Sequence, residues 1–179
     1  MNETFAFVDI ETTGLDPRVD KILEYGTIIV QEGAGLTNML NIVVNPCTWP
    51  KLSPVVLDMH TKNGLIRDCN ASTKFITDLD RDVSEFYAKF GKKLVLAGSG
   101  VGHFDFNFIK EQMPKTRECL QYYVNDVGVW RRGFKWLGYG GQLKKPKKKP
   151  HRALEDCKIH VEEWQEIKRV MASCFDIPF

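Results

Sequence analysis

Four acids and one histidine carry the chemistry that this chain could perform. Asp9 and Glu11 lie in Phe7-Val8-Asp9-Ile10-Glu11-Thr12-Thr13-Gly14, two residues apart in an apolar segment. In an extended chain that spacing puts both carboxylates on one face. Buried there, they need a cation, and a hard divalent ion such as Mg²⁺ prefers such oxygens. A strand end where both acids reach water is the other reading of this pair. Asp105 sits among aromatics in His103-Phe104-Asp105-Phe106-Asn107-Phe108, where it either meets a partner or caps the helix that follows. His151 and Asp156 lie five residues apart, and Pro150 disfavours helix just before the histidine. His151 is thus expected on a loop and Asp156 in the first turns of a helix.

The elements that must position these groups follow from hydrophobic patterning. Strands are expected at 4–10, 24–31 and 39–45, the latter two joined by a hairpin through Gly33-Ala34-Gly35. Two further strands are expected at 93–97 and 121–125. Ser53-Pro54 opens a helix to His60. Ser72 reads as the N-cap of an amphipathic helix carrying Phe75, Ile76, Leu79, Val83, Phe86, Tyr87 and Phe90, with Gly91 as its stop. Shorter helices are expected at 106–113, ended by Pro114, and at 127–137, and a long one at 152–171. Strands alternating with helices imply an α/β fold with a partly parallel sheet, and the hairpin makes that sheet mixed.

Composition narrows the class. Over 179 residues, 43% are hydrophobic and 27% charged, the balance of a soluble globular protein and one domain spanning 1–179. No apolar run is long enough for a membrane span, and the start lacks the pattern of a signal peptide. The five cysteines form no Cys-x-x-Cys pair, so reduced thiols in a cytoplasm are the expectation, with Cys157 in the core. The Asn-x-Ser/Thr triplets at Asn2 and Asn70 are then accidental. Gly98-Ser99-Gly100-Val101-Gly102-His103 imitates a dinucleotide-binding loop, but His103 stands where its last glycine belongs. Close backbone packing beside Asp105 is the preferred reading.

Net charge is only +2, yet residues 127–154 hold nine Lys or Arg and no acid. The densest part, Lys144-Lys145-Pro146-Lys147-Lys148-Lys149-Pro150, reads as an extended loop. Three uses are open to it: a solvated loop, a phosphate-contacting arm led by Lys147 and Lys148, or a nuclear import signal.

Asp-x-Glu at 9–11, Asp105 in a central motif, and His-x₄-Asp at 151–156, in that order, resemble the DEDDh exonuclease family. The Glu-Thr-Thr-Gly-Leu-Asp-Pro run at 11–17 strengthens the likeness. Within that family the chain is most similar to the oligoribonuclease branch, through His60-Thr61-Lys62-Asn63-Gly64-Leu65, Asn70-Ala71-Ser72-Thr73 and Tyr123-Val124-Asn125-Asp126-Val127. The resemblance spans nearly the whole chain and is strongest at the acidic motifs. It implies a ribonuclease-H-like fold, a mixed five-stranded sheet flanked by helices, which agrees with the strand order read above.

The resemblance also implies a function: 3′–5′ hydrolysis of short or single-stranded RNA to 5′-mononucleotides, with two ions of Mg²⁺ or Mn²⁺. Asp9, Glu11 and Asp156 would hold one ion. Asp9 would bridge to the second, supported by Asp105. His151 would be the general base. Thr12 and Gly14 would meet the 3′ end, Leu15 would wedge against the terminal bases, and His60 would stack on a base. Leu15 as core and His60 as a satisfied helix residue are the alternatives. Single-stranded DNA and a non-catalytic nucleic-acid-binding module are the rival functions. A homodimer is also implied, and Trp130, Phe134, Trp136 and Tyr139 either supply its apolar patch or belong to the core. Where the branch has Arg, Ser and Thr to clamp a 5′-phosphate, this chain has Tyr123, Gly128 and Val129, and Gly100 and Asn63 also depart from it. The expectation is a relaxed preference for substrate length.

Overall fold

The computed structural model describes residues 3–31, 38–91, 93–145 and 147–175. Its centre is β1 (Phe5–Thr12), buried along almost its whole length. It pairs antiparallel with β2 (Ile22–Val30), which pairs antiparallel with β3 (Asn38–Val43). On its other edge β1 runs parallel to β4 (Leu94–Gly98), and β4 parallel to β5 (Leu120–Asp126). The order is β3-β2-β1-β4-β5, the mixed five-stranded sheet expected. The turn read at Gly33-Ala34-Gly35 lies outside the described residues.

The helices are α1 (Pro54–Lys62), α2 (Leu65–Ala71), α3 (Ile76–Ala88), α4 (Asp105–Gln112), α5 (Pro114–Glu118), α6 (Val127–Trp136) and α7 (Ala153–Phe175). Ser53 caps α1, its hydroxyl accepting the Val56 N–H. Ser72 does not cap α3. It closes α2, and its hydroxyl donates to the Val43 carbonyl, tying that helix end to β3. α3 instead starts at Ile76, where the Asp78 carboxylate takes the Phe75 N–H at 3.0 Å. α2 and α5 were not anticipated. Both are short, and neither is closed by the side chain of its own N-cap residue: Asn63 accepts the Leu65 N–H of α2, and Asp80 of α3 accepts the Lys115 and Thr116 N–H groups of α5. Pro114 ends α4 as read, but it also occupies the first turn of α5, where its missing N–H costs nothing.

Side chains alternate across β1. Ala6, Val8 and Ile10 face a core with Tyr25, Leu79, Tyr87 and Phe108. Phe7 faces the other core, with Ile28, Ala97, Cys157, Val161 and Val170, under α6 and α7. Asp9 and Glu11 continue the Phe7 face, so the acids rise from the edge of an apolar layer.

Two glycines set how closely the layers approach. A side chain on Gly26 would collide with the backbone of Ala153 and Leu154, so the first turn of α7 rests directly on β2. Gly98 has a positive φ, and a Cβ there would lie 2.6 Å from the Val8 carbonyl oxygen. Of the glycine run, Gly98 thus packs backbone against backbone, while Gly102 abuts the Val124 side chain. The aromatics divide as well: Phe134 is core and Tyr139 packs on it, whereas Trp136 is 86% exposed. Among the described residues no helix is long and apolar enough to cross a membrane.

Candidate active site

β1 delivers Asp9 and Glu11 opposite Gly26 and Glu24 of β2. Asp105 is the first residue of α4, not its cap, which is Phe104. One of its carboxylate oxygens accepts the Ile10 N–H at 2.9 Å, fixing α4 to the backbone between the two β1 acids. Asp156 lies in the first turn of α7, held there by its own N–H to the Arg152 carbonyl. Only 1% of Asp156 is exposed, and its Oδ1 has no hydrogen-bond partner among the described residues. Glu11, His151 and Asp156 each bring a ligand-type atom within 4.8 Å of the others.

Burial and mutual repulsion hold these carboxyls back from ionising. Burial, then Asp9 and Asp156, pushes Glu11 up to about 9. Burial, then Asp9, pushes Asp156 up to about 7. Burial also raises Asp105, with Asp9 adding to it. Asp9 is raised by burial against the pull of Lys149. The Lys149 ammonium donates to Asp9 Oδ1 at 3.1 Å and lies 3.9 Å from Asp156 Oδ2. Burial works against its charge, but Asp9, joined by Asp156 and Asp105, outweighs it and raises the lysine. Four acids, an orphaned buried oxygen and raised carboxyls are the donor set of a hard divalent cation. Such a cation would keep every one of them ionised.

His151 lies on the loop before α7, as its proline neighbour implied, in the left-handed region at φ 57°. Asn63 donates its side-chain amide to the His151 carbonyl. Arg152 is locked by Glu24 at 3.0 Å and by Asp68 at 3.0 Å, and Glu24 also accepts the Ala153 N–H at 3.0 Å. The residue that precedes α7 and the one that opens it are thus tied to β2, which aims His151 at the acids.

The turn after β1 presents the remaining candidates. Thr12 is buried and its hydroxyl donates to the Gly14 carbonyl at 2.6 Å. Asp20 braces the turn by accepting the Thr13 hydroxyl and the Asp16 N–H. Leu15, at the crest, is 82% exposed, which removes the reading of it as core. His60 is corrected: at 0% exposure it offers no ring face to a base. Its Nε2–H donates instead to the Thr12 carbonyl at 3.1 Å, from beneath, and burial lowers its pKa. Lys148 is exposed, and Lys147 pairs with Glu162 of α7 at 2.6 Å. Where the phosphate clamp was missed in sequence, the Tyr123 hydroxyl donates to Glu3, Val129 is exposed, and Gly128 lies buried against Ser99 and Asp126.

Four residues at the site were not anticipated. Lys149 could not be told from its lysine neighbours. Glu24 and Arg152 meet only through the fold. His160 had a signal, since it stands one helical turn after Asp156 on the same face. It is buried, its Nε2 is 3.9 Å from Asp9 Oδ1, and burial takes it down to about 3.

Comparison with known proteins adds the family. The RNase_T exonuclease model matches residues 6–164. The chain belongs to that exonuclease family. An oligoribonuclease of Mycobacterium sp. (strain KMS) is 31% identical over 188 aligned positions, covering 99% of this chain and 84% of its own. A probable oligoribonuclease of Dictyostelium discoideum is 30% identical, covering 90% of this chain and 87% of its own. Among solved structures, E. coli exonuclease I in complex with an oligonucleotide superposes with a TM-score of 0.72 at 14% identity. That match takes in 97% of this chain but spans only 42% of the E. coli enzyme, so it speaks for the ribonuclease-H-like fold alone. The chain is a 3′–5′ exonuclease of the DEDDh type, similar in sequence to the oligoribonucleases.

Proposed function

We propose that this exonuclease removes nucleotides from the 3′ end of short or single-stranded RNA, releasing 5′-mononucleotides, with two divalent ions, Mg²⁺ or Mn²⁺. The observation that carries this reading is the buried Asp9–Glu11–Asp105–Asp156 constellation, whose Asp156 Oδ1 has no partner among the described residues. Asp9, Glu11 and Asp156 would hold one ion, and Asp9 with Asp105 the other. Bound there, the ions supply charge relief to the phosphate and lower the pKa of the attacking water. His151 takes that water's proton, being exposed, on a loop, and within 4.8 Å of two of the acids. Leu15 packs on the terminal base, and Thr12 and Gly14 meet the terminal ribose. His60 acts beneath them by fixing the Thr12 carbonyl. Lys148 and its neighbours draw the incoming strand through its phosphates.

The residues at 123, 128 and 129 bring no cation or hydroxyl pair to a 5′-phosphate apart from the Tyr123 phenol, which Glu3 engages. The reading therefore includes a relaxed length preference. It also includes action as one exonuclease domain over 1–179, in a cytoplasm, as a homodimer to which the exposed Trp136 contributes. The test is 3′-end digestion of 5′-labelled RNA and DNA of matched sequence, from dinucleotides to 20-mers, with Mg²⁺ or Mn²⁺. A ladder of mononucleotide steps on RNA, lost in Asp9→Ala, is expected. Faster digestion of DNA would move the substrate class, and dinucleotides degraded far faster than 10-mers would sink the length preference. No ladder from the folded protein would leave a nucleic-acid-binding module.

A further inference from the structure

Lys149 lies where a bound cation would have to be. Its ammonium donates to Asp9 Oδ1 at 3.1 Å and stands 3.9 Å from Asp156 Oδ2. A small divalent ion binds carboxylate oxygens at about 2.1 Å. An ion on Asp9 Oδ1 and an ammonium on the same oxygen would be neighbours of like charge in a half-buried site, which disfavours both together. The side chain has a way out, being 35% exposed on the loop before α7. The rest of that junction stays put, because Asn63 holds the His151 carbonyl and Glu24 with Asp68 holds Arg152.

The acids meanwhile need some cation. Asp9 and Asp156 are buried, and Lys149 is the Lys or Arg whose side-chain nitrogen pairs with either of them among the described residues. We infer that Lys149 is a tethered stand-in for the metal: it neutralises Asp9 and Asp156 while the site is unloaded, competes with the divalent ion for them, and is expelled toward solvent on loading. The inference rests on the metal-site reading above. It makes Lys149 a determinant of metal affinity, distinct from Lys147, which is engaged by Glu162.

The experiment is Mn²⁺ titration by calorimetry, without nucleic acid, of wild type, Lys149→Met, Lys149→Arg and Glu11→Gln. Lys149→Met keeps the aliphatic stem and removes the competitor, so Mn²⁺ affinity is expected to rise about tenfold, equivalent to ~1.4 kcal/mol. Lys149→Arg keeps a competing cation and is expected to stay near wild type. The thermal shift produced by saturating Mn²⁺ is expected to be larger in Lys149→Met than in wild type, because the metal-free form of that variant has lost its counter-ion. Should Lys149→Met fail to fold without metal, wild type carrying ¹³Cε-labelled lysine answers instead: one lysine signal must move from a restrained to a freely mobile state as Mg²⁺ is added. Unchanged or weaker affinity in Lys149→Met, or no lysine released by Mg²⁺, overturns the inference. Binding in wild type that disappears in Glu11→Gln keeps the metal site even then. Absence of Mn²⁺ binding in every protein overturns the metal site and the inference together.

Discussion

Two sets of buried acids lie side by side on the sheet and are treated in opposite ways. Glu24 on β2 is satisfied by the protein: Arg152 forks onto it, Ala153 gives it a backbone N–H, and Asn41 gives it an amide. Across the strand pair, Glu11 sits opposite it in register and has no such company. Asp156 keeps an orphaned oxygen, and Asp9 relies on one half-exposed lysine. A buried acid that the chain neutralises is structural, and one that it leaves wanting points to a cation from outside. Distance in sequence or in space does not separate the two kinds; the partners do.

The largest test of that contrast is Asp156→Asn. Metal-dependent digestion should fall by roughly 10³-fold or more. The metal-free protein should melt no lower than wild type, since a repelling carboxyl has gone. A clear loss of melting temperature in Asp156→Asn would erase the difference between the two sets. Glu24→Gln should behave the other way, costing about 1–3 kcal/mol of stability, because Arg152 loses its fork and is left with Asp68 alone as its carboxylate partner. Urea denaturation measures this, and folded Glu24→Gln should still bind Mn²⁺.

A third test uses pH. Glu11 is carried from 4.5 to about 9 and Asp156 from 3.8 to about 7, so between those limits the folded state holds more protons than the unfolded one. Stability of the metal-free protein must then fall as pH rises through that window. Saturating Mn²⁺ should flatten the slope, because the acids stay ionised in the loaded state. Melting curves in a chelator that do not change across the window would count against the raised carboxyls. The smallest effect belongs to Leu15→Ala. Its exposure predicts stability within about 0.5 kcal/mol of wild type. A KM roughly tenfold higher, with kcat little changed, would place the side chain against substrate.

The same contrast explains what could be read in advance. The strands were legible because β1, β2 and β4 are buried on both faces and spell nearly continuous apolar runs. Asp9, Glu11, Asp105, His151 and Asp156 were legible because acids stand out in such runs and because their order matches a family. The partners were not. Glu24 meets Arg152 across 128 residues of chain, and Lys149 meets Asp9 across 140. No local pattern encodes either meeting. Position 60 misled for a related reason: a histidine on a helix reads alike whether its ring faces solvent or the underside of a turn. α2 was missed because it is only seven residues long and its N-cap is Gly64, in the left-handed region. Ser72 was misassigned because a hydroxyl near a helix end serves the preceding helix as readily as the next.

Gly26 has no chemistry of its own, yet the seating of α7 on the sheet depends on an atom it lacks. Because the first turn of α7 rests on that bare backbone, even a methyl group at position 26 must lever the helix outward and carry Asp156 away from Asp9. A saturation library scored by nuclease output alone would therefore rank Gly26 with the reacting residues, and only a companion screen for folded protein would show that it works as a spacer.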